Sequence, residues 1–237
     1  MAATTYVTAS NQGAVEFSKL FGSTVTSGTW SELRNSTTGS SATMIEITKT
    51  QSTIEARNQG PARGSYPATI SRLFLHFNSG SVLPPGATVT DLELKLYGTG
   101  SQAGGDSIVV KSKLNGGFDF IATGDFDSLY FATPYSSELP IWSNSGFNTY
   151  TLNATAISDF TTNNYLDVAV IEHDYDYSNS LPSEGTIDTF TTQHLDVRLS
   201  ITYSTTGWGN NINGVLNANI VSVIGVAKAS IANVNGT

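Results

Sequence analysis

The segment Thr90–Gly98, TDLELKLYG, sets Leu92, Leu94 and Leu96 against Asp91, Glu93 and Lys95 in strict alternation. Successive side chains of a strand point to opposite faces, so this spacing buries one face of an extended chain and would scatter its leucines around a helix. Related patterns recur along the sequence. Ile70, Leu73, Leu75 and Phe77 mark a strand before it; Leu195, Val197, Leu199 and Ile201 mark one near residue 200; Met44, Ile45 and Ile47 follow roughly the same period. Val168 to Ile171 is continuously apolar, as in a strand covered on both faces, and Ile108 to Val110 is a shorter run behind Gly104 and Gly105.

Glycine and proline punctuate these runs. Pro84-Pro85-Gly86 separates two strands, and Gly60, Pro61, Gly64 and Pro67 predict a loop. The segment SGTWSELRNSTTGSSAT, Ser27 to Thr43, reads as turn-rich, and Asn115 to Phe147 as loops with one or two short strands. A strand through Tyr150 and Leu152 runs into a single helical turn, with Asn153 or Thr155 as its N-cap before Ala156, Ile157 and Phe160. Charged residues make up only 13% of the 237 positions, and strong helix formers are few. We therefore expect an all-β chain, an antiparallel β-sandwich of jelly-roll type over residues 1–205, followed by an extended tail over 206–237.

The tail repeats. Gly214, Gly225 and Gly236, then Val215 and Val226, Ala218 and Ala229, Ile220 and Ile231, Val223 and Val234 align at a period of eleven residues. That period suits a helix of 3.67 residues per turn, but each repeat carries Gly, Asn or Ser with β-branched Val or Ile, and Gly alone costs a helix about 1 kcal/mol. Extended segments joined by Asn-Gly turns fit better. Two short strands cannot bury their own apolar side chains, so Ile212, Val215, Ile220, Val223, Val226, Ile231 and Val234 are expected to meet a partner surface or copies of themselves. A frayed terminus, or one that folds back on its own sandwich, is the plainer alternative.

Several functions are disfavoured by composition. A formal charge of −8 without a Lys/Arg cluster opposes nucleic-acid binding. Without cysteine there is no disulfide framework, thiolate zinc site or thiol nucleophile. The opening MAATTYVTAS lacks the basic and apolar regions of a secretory signal, and the apolar Ile212 to Val234 stretch is interrupted by Asn213, Asn217, Asn219, Lys228 and Asn233, so no membrane span is expected. No Gly-x-Ser-x-Gly, His-Glu-x-x-His or phosphate loop occurs, and of the three histidines His76 and His194 read as structural. We expect neither enzyme nor cofactor.

Two weaker signals remain. Asp125 and Asp127, like Glu172, Asp174 and Asp176, sit at alternate positions and would project to one side of an extended chain, but calcium-loop spacing is missing; solvated loop acids are the preferred reading and no metal site is assigned. Trp142, Tyr135, Tyr175 and Tyr177 lie in loop-like surroundings where aromatic faces could grip sugar rings; packing against the core is the plainer reading.

Taken together, SRLFLHFN, LPPGATVTDLELKLYG, YTLNATAISDF, LDVAVIEH and LDVRLSITYS resemble the DNRLRE-type domain, a β-sandwich related to carbohydrate-binding modules. The resemblance spans roughly Thr4 to Tyr203, and Pro84 to Val89 is its most distinctive part. Where that pattern ordinarily has Arg-Phe-Asp, this chain has His76, Phe77 and Asn78. The tail is similar to terminal segments of tailed-bacteriophage virion proteins. These resemblances imply a phage structural protein, such as a head fibre, capsid decoration or tail-associated subunit. It would be assembled in the host cytoplasm and exposed on the virion, with other virion proteins or its own copies as partners, a trimer among the possibilities. The alternative they imply is a carbohydrate-binding module or adhesin that recognises cell-surface glycan.

Overall fold

The computed structural model describes residues 2–8, 11–21, 26–44, 51–58, 66–79, 82–84, 86–100, 105–114, 121–205, 222–223 and 226–227. It is an antiparallel β-sandwich. Its strands are β1 (Ala2–Thr8), β2 (Asn11–Phe21), β3 (Ser41–Met44), β4 (Gln51–Asn58), β5 (Tyr66–Asn78), β6 (Ala87–Thr99), β7 (Ser107–Ser112), β8 (Leu129–Pro134), β9 (Phe147–Thr151), β10 (Tyr165–Glu172) and β11 (Thr186–Thr205). Two helices, α1 (Ser27–Arg34) and α2 (Ala154–Asn163), interrupt them, with a 3-10 turn at Thr123–Asp125 and a π-helical turn at His173–Tyr177.

Hydrogen bonding runs in the order β8-β7-β10-β5-β4-β11-β6-β9, with β1 beside β11 and the β2-β3 pair beside β5. One strand joins the two layers. The first half of β11 pairs with β4 from Thr186 to Gln193, and its second half pairs with β6 from Val197 to Thr205 and with β1 from Arg198 to Ser204. The register with β6 shifts between Thr192 and Val197, the irregularity by which a long strand turns a sandwich corner.

The alternation in β6 does what its spacing predicts: Leu92, Leu94 and Leu96 are fully buried between the layers while Asp91, Glu93 and Lys95 are partly exposed. They meet Leu73, Leu75 and Phe77 of β5, Val168 and Val170 of β10, and Val197, Leu199 and Ile201 of β11 in one core. Full burial of each such side chain is worth about 1.5–3 kcal/mol. Ala169 and Ile171 of β10 point the other way, into a second apolar cluster with Ile70 and Phe74 of β5, Val110 of β7, Phe126, and Trp30 and Leu33 of α1. That second layer is why Val168 to Ile171 is apolar without a break.

Among the described residues, local structure departs from the sequence reading at Pro67, expected in a loop but paired with Leu20 near the start of β5, and in the two helices. Ser27 to Arg34 is helical rather than turn-rich, because Trp30 and Leu33, three apart, bury together on β5's outer face while Thr29 Oγ1 accepts from the Thr26 amide at 2.7 Å. The segment after β9 is a ten-residue helix rather than one turn. Asn153 caps it, accepting from the Thr155 and Ala156 amides at 3.1 Å, and Asn164 ends it in the left-handed region at φ 61°. Its Ala156 and Phe160 close the end of the inter-layer core.

The loop after β8 lies flat on β6. Gly98 N donates to Gly146 O at 2.9 Å, and a Cβ at Gly98 would stand 1.7 Å from Ser143 O. Backbone cannot yield as a side chain does, so Gly98→Ala is expected to lower the urea unfolding midpoint sharply. Gly124→Ala, where nothing lies within 4 Å, is the matched comparison and should change it little.

Candidate functional site

The outer face of β5 carries Arg72 between Ile70 and Phe74, and its guanidinium is completely buried. A charge there needs partners. Nε and Nη2 form a two-point pair with Asp176 at 2.8 and 2.7 Å, Nη1 donates to Phe126 O at 2.8 Å and Nη2 to Arg34 O at 2.8 Å. The Phe126 ring lies 4.0 Å from the guanidinium carbon. Arg34 reinforces the arrangement from α1, with Nε donating to Asp176 O at 2.6 Å, Nη2 to Tyr177 O at 3.2 Å, and its guanidinium 3.6 Å above the Phe131 ring. This network pins the π-helical turn against β5 and α1.

Glu172 begins that turn. Its buried carboxylate accepts from the amides of Asp174, Tyr175 and Asp176 at 2.7, 2.8 and 2.9 Å. The turn therefore has little freedom, and it presents His173 and Asp174 at one end of the sandwich. Asp106, just before β7, and Glu138, in the loop after β8, meet His173 there, with one donor atom of each within 4.8 Å of the others. His173 Nδ1 stands 3.2 Å from Glu138 Oε2 and 3.4 Å from Asp174 Oδ1. The Tyr177 ring stacks on the imidazole at 5.4 Å and 21°. Burial, then Asp174 and Glu138, pushes Asp106 above the usual carboxylate range against the pull of His173; burial, then Asp174 and Asp106, does the same to Asp188 on β11 against its bond from the Gly105 amide.

A second polar place lies beside α2, a hollow of about 270 Å³ bordered by Lys111, Tyr135, Asp159, Asn163, Tyr165 and Asp167. Asp159 Oδ2 accepts from Lys111 Nζ at 2.8 Å and from the Tyr135 hydroxyl, fastening α2 to the sheet. His76 Nδ1 meets Asp167 Oδ1 at 2.6 Å, so this histidine is held within the fold, as its strand position suggested.

The aromatic residues considered for glycan contact are not together. Trp142 and Tyr135 are 3% and 1% exposed and belong to the inter-layer core, Trp142 lying 5.4 Å from the Phe190 ring. Neither presents a face to a sugar ring. Tyr175 and Tyr177 are partly buried and pack against the second cluster. Core packing needs aromatic volume wherever a loop closes a sandwich, which was the plainer of the two readings the sequence offered.

The alternating acids also separate. Asp125 Oδ2 accepts from the Ala122 amide at 2.8 Å, Asp127 sits 3.8 Å from Lys113, Asp176 is the partner of Arg72, and Asp174 alone borders the His173 group. The assumed extended backbone at 173–177 is a tight turn, so Asp174 and Asp176 point to different places. Asp106, Glu138 and His173 were not legible as a set because three separate segments supply them. In the tail, Ile212, Val215, Ile220, Ile231 and Val234 lie outside the described residues; Val223 and Val226 are backbone register partners in a short antiparallel pair, Ser222–Val223 with Val226–Ala227.

Neither a protein-family profile nor a curated protein matches this chain. Among solved structures it is similar to the infectious bursal disease virus VP2 subviral particle, with 10% identity, coverage of 88% of this chain and 61% of that one, and a TM-score of 0.14. A likeness of that size identifies neither fold nor activity, and the chain spans about three fifths of that protein's length.

Two outcomes follow from the buried network. Asp176→Asn leaves Arg72 charged without its carboxylate, and urea unfolding should show a loss of about 3–5 kcal/mol. Burial pushes Glu172 up to about 8, opposed by its three amide bonds and assisted by Asp176. The folded chain thus holds this proton more tightly than the unfolded chain, so the Glu172 contribution is full below the ordinary carboxylate range and fades as pH rises towards about 8. Unfolding midpoints measured from pH 4 to about pH 8 should fall less steeply in Glu172→Gln than in the parent.

Proposed function

We propose that this chain is a structural subunit of a bacteriophage particle, a head fibre, capsid decoration or tail-associated protein, whose sandwich is displayed and whose C-terminal repeat fastens it to other virion proteins or to its own copies. The observation that carries this reading is the tail. It follows the sandwich in sequence, and in its middle Ser222–Val223 pairs antiparallel with Val226–Ala227 as a two-stranded sheet of its own. This extended pairing agrees with the turn-and-strand composition of the repeat. A pair that short buries too little to stand alone, so the apolar residues around it call for a partner surface. The buried positions of Trp142 and Tyr135 weigh against a glycan-binding role built on those rings.

Truncation after Thr205 tests the proposal. The shortened chain is expected to keep the circular dichroism and cooperative unfolding of the whole protein. It should sediment as a monomer where the full chain sediments as an oligomer, or fail to enter particles where the full chain enters. Equal sedimentation and equal incorporation of both forms would refute the anchoring role.

A further inference from the structure

We propose that Asp106, Glu138 and His173 bind one divalent transition-metal ion of the zinc type, which ties together three loops at one end of the sandwich. The inference is independent of the virion reading. Three features carry it. The first is donor chemistry: an imidazole among carboxylates favours zinc-like ions, whereas carboxylates alone suit calcium or magnesium. The second is spacing. Two ligands on a tetrahedral zinc with bonds of about 2.0–2.1 Å stand about 3.4 Å apart, and His173 Nδ1 and Glu138 Oε2 are 3.2 Å apart, with Asp106 completing a set whose donors all lie within 4.8 Å. Glu138 is exposed and can close the remaining gap without disturbing the core.

The third feature is a frame that exists before any ion arrives. His173 N donates to Asp106 O at 2.7 Å, and Leu139 N donates to Ser107 O at 2.7 Å, so backbone bonds lace all three ligand-bearing segments together. Tyr177 stacked on His173 limits rotation of the imidazole. Around this frame Asp174 and Asp188 add negative charge, while Lys111, Lys113, Arg34 and Arg72 are engaged elsewhere with Asp159, Asp127 and Asp176. A dication would relieve the repulsion among these carboxylates. Asp174 Oδ1, 3.4 Å from His173 Nδ1, or a water molecule would take the fourth position.

The full chain, stripped with chelator and titrated with zinc chloride by calorimetry, should bind one zinc per chain and unfold at a higher temperature when loaded. Glu138→Gln alters an exposed side chain and leaves the core untouched; it should weaken zinc binding about tenfold or more, as should His173→Ala. Asp127→Asn, outside the group, should bind as the parent does. Binding below one zinc per chain, equal binding by the parent and Glu138→Gln, or stoichiometric calcium binding without zinc binding would each overturn the assignment. Circular dichroism of every variant separates lost binding from lost folding.

Discussion

A guanidinium sealed inside a β-sandwich is the constraint on which much of this molecule turns. Arg72 occupies the outer face of β5, where Ile70 and Phe74 require an apolar cover, and its charge can be tolerated only if its N–H groups find acceptors. Those acceptors come from distant segments: Arg34 at the end of α1, Phe126 beyond the 3-10 turn, and Asp176 in the π-helical turn. One side chain thus sets where three connections must lie. An apolar residue at position 72 would bury as well but would not specify which loop lands where.

The loop end follows from that placement. With Asp176 drawn to Arg72 and Glu172 capping the amides of the same turn, His173 and Asp174 are left pointing outward at a fixed position beside Asp106 and Glu138. The carboxylates there repel one another, and the protein holds them close because the backbone bonding of β7 and its neighbours is already in place. The other helix, α2, is fastened by Asp159 and closes the gap between layers with Ala156 and Phe160. The sandwich is a body whose loops are held by polar anchors and whose strands are held by apolar packing.

Much of the architecture was legible because strands declare themselves through period two. Leu92, Leu94 and Leu96 had one face to bury, and the run from Val168 to Ile171 had two; both expectations match the observed burial. Asn153 and Thr155 both announced a helix start by their cap chemistry, and Asn153 is the one that caps it. The α1 helix was concealed because only Trp30 and Leu33 face the core, and two apolar positions among Ser, Thr and Gly look like a turn. Trp142 and Tyr135 left two readings open because their neighbours in sequence are loop residues; their neighbours in space are Phe190 and the inter-layer core, in line with the plainer one.

What the amino-acid order settles on its own is therefore local: the alternation that makes antiparallel strands, the turns between them, a helix start after β9, and the eleven-residue recurrence that sets the tail apart. Tertiary structure decides the pairing of Arg72 with Asp176, the crossing of β11 between layers, and the meeting of Asp106, Glu138 and His173. Alternation and capping depend on residues a few positions apart, whose geometry the backbone dictates. Buried charges and converging loops depend on groups tens of residues apart, which only the closed sandwich brings within reach.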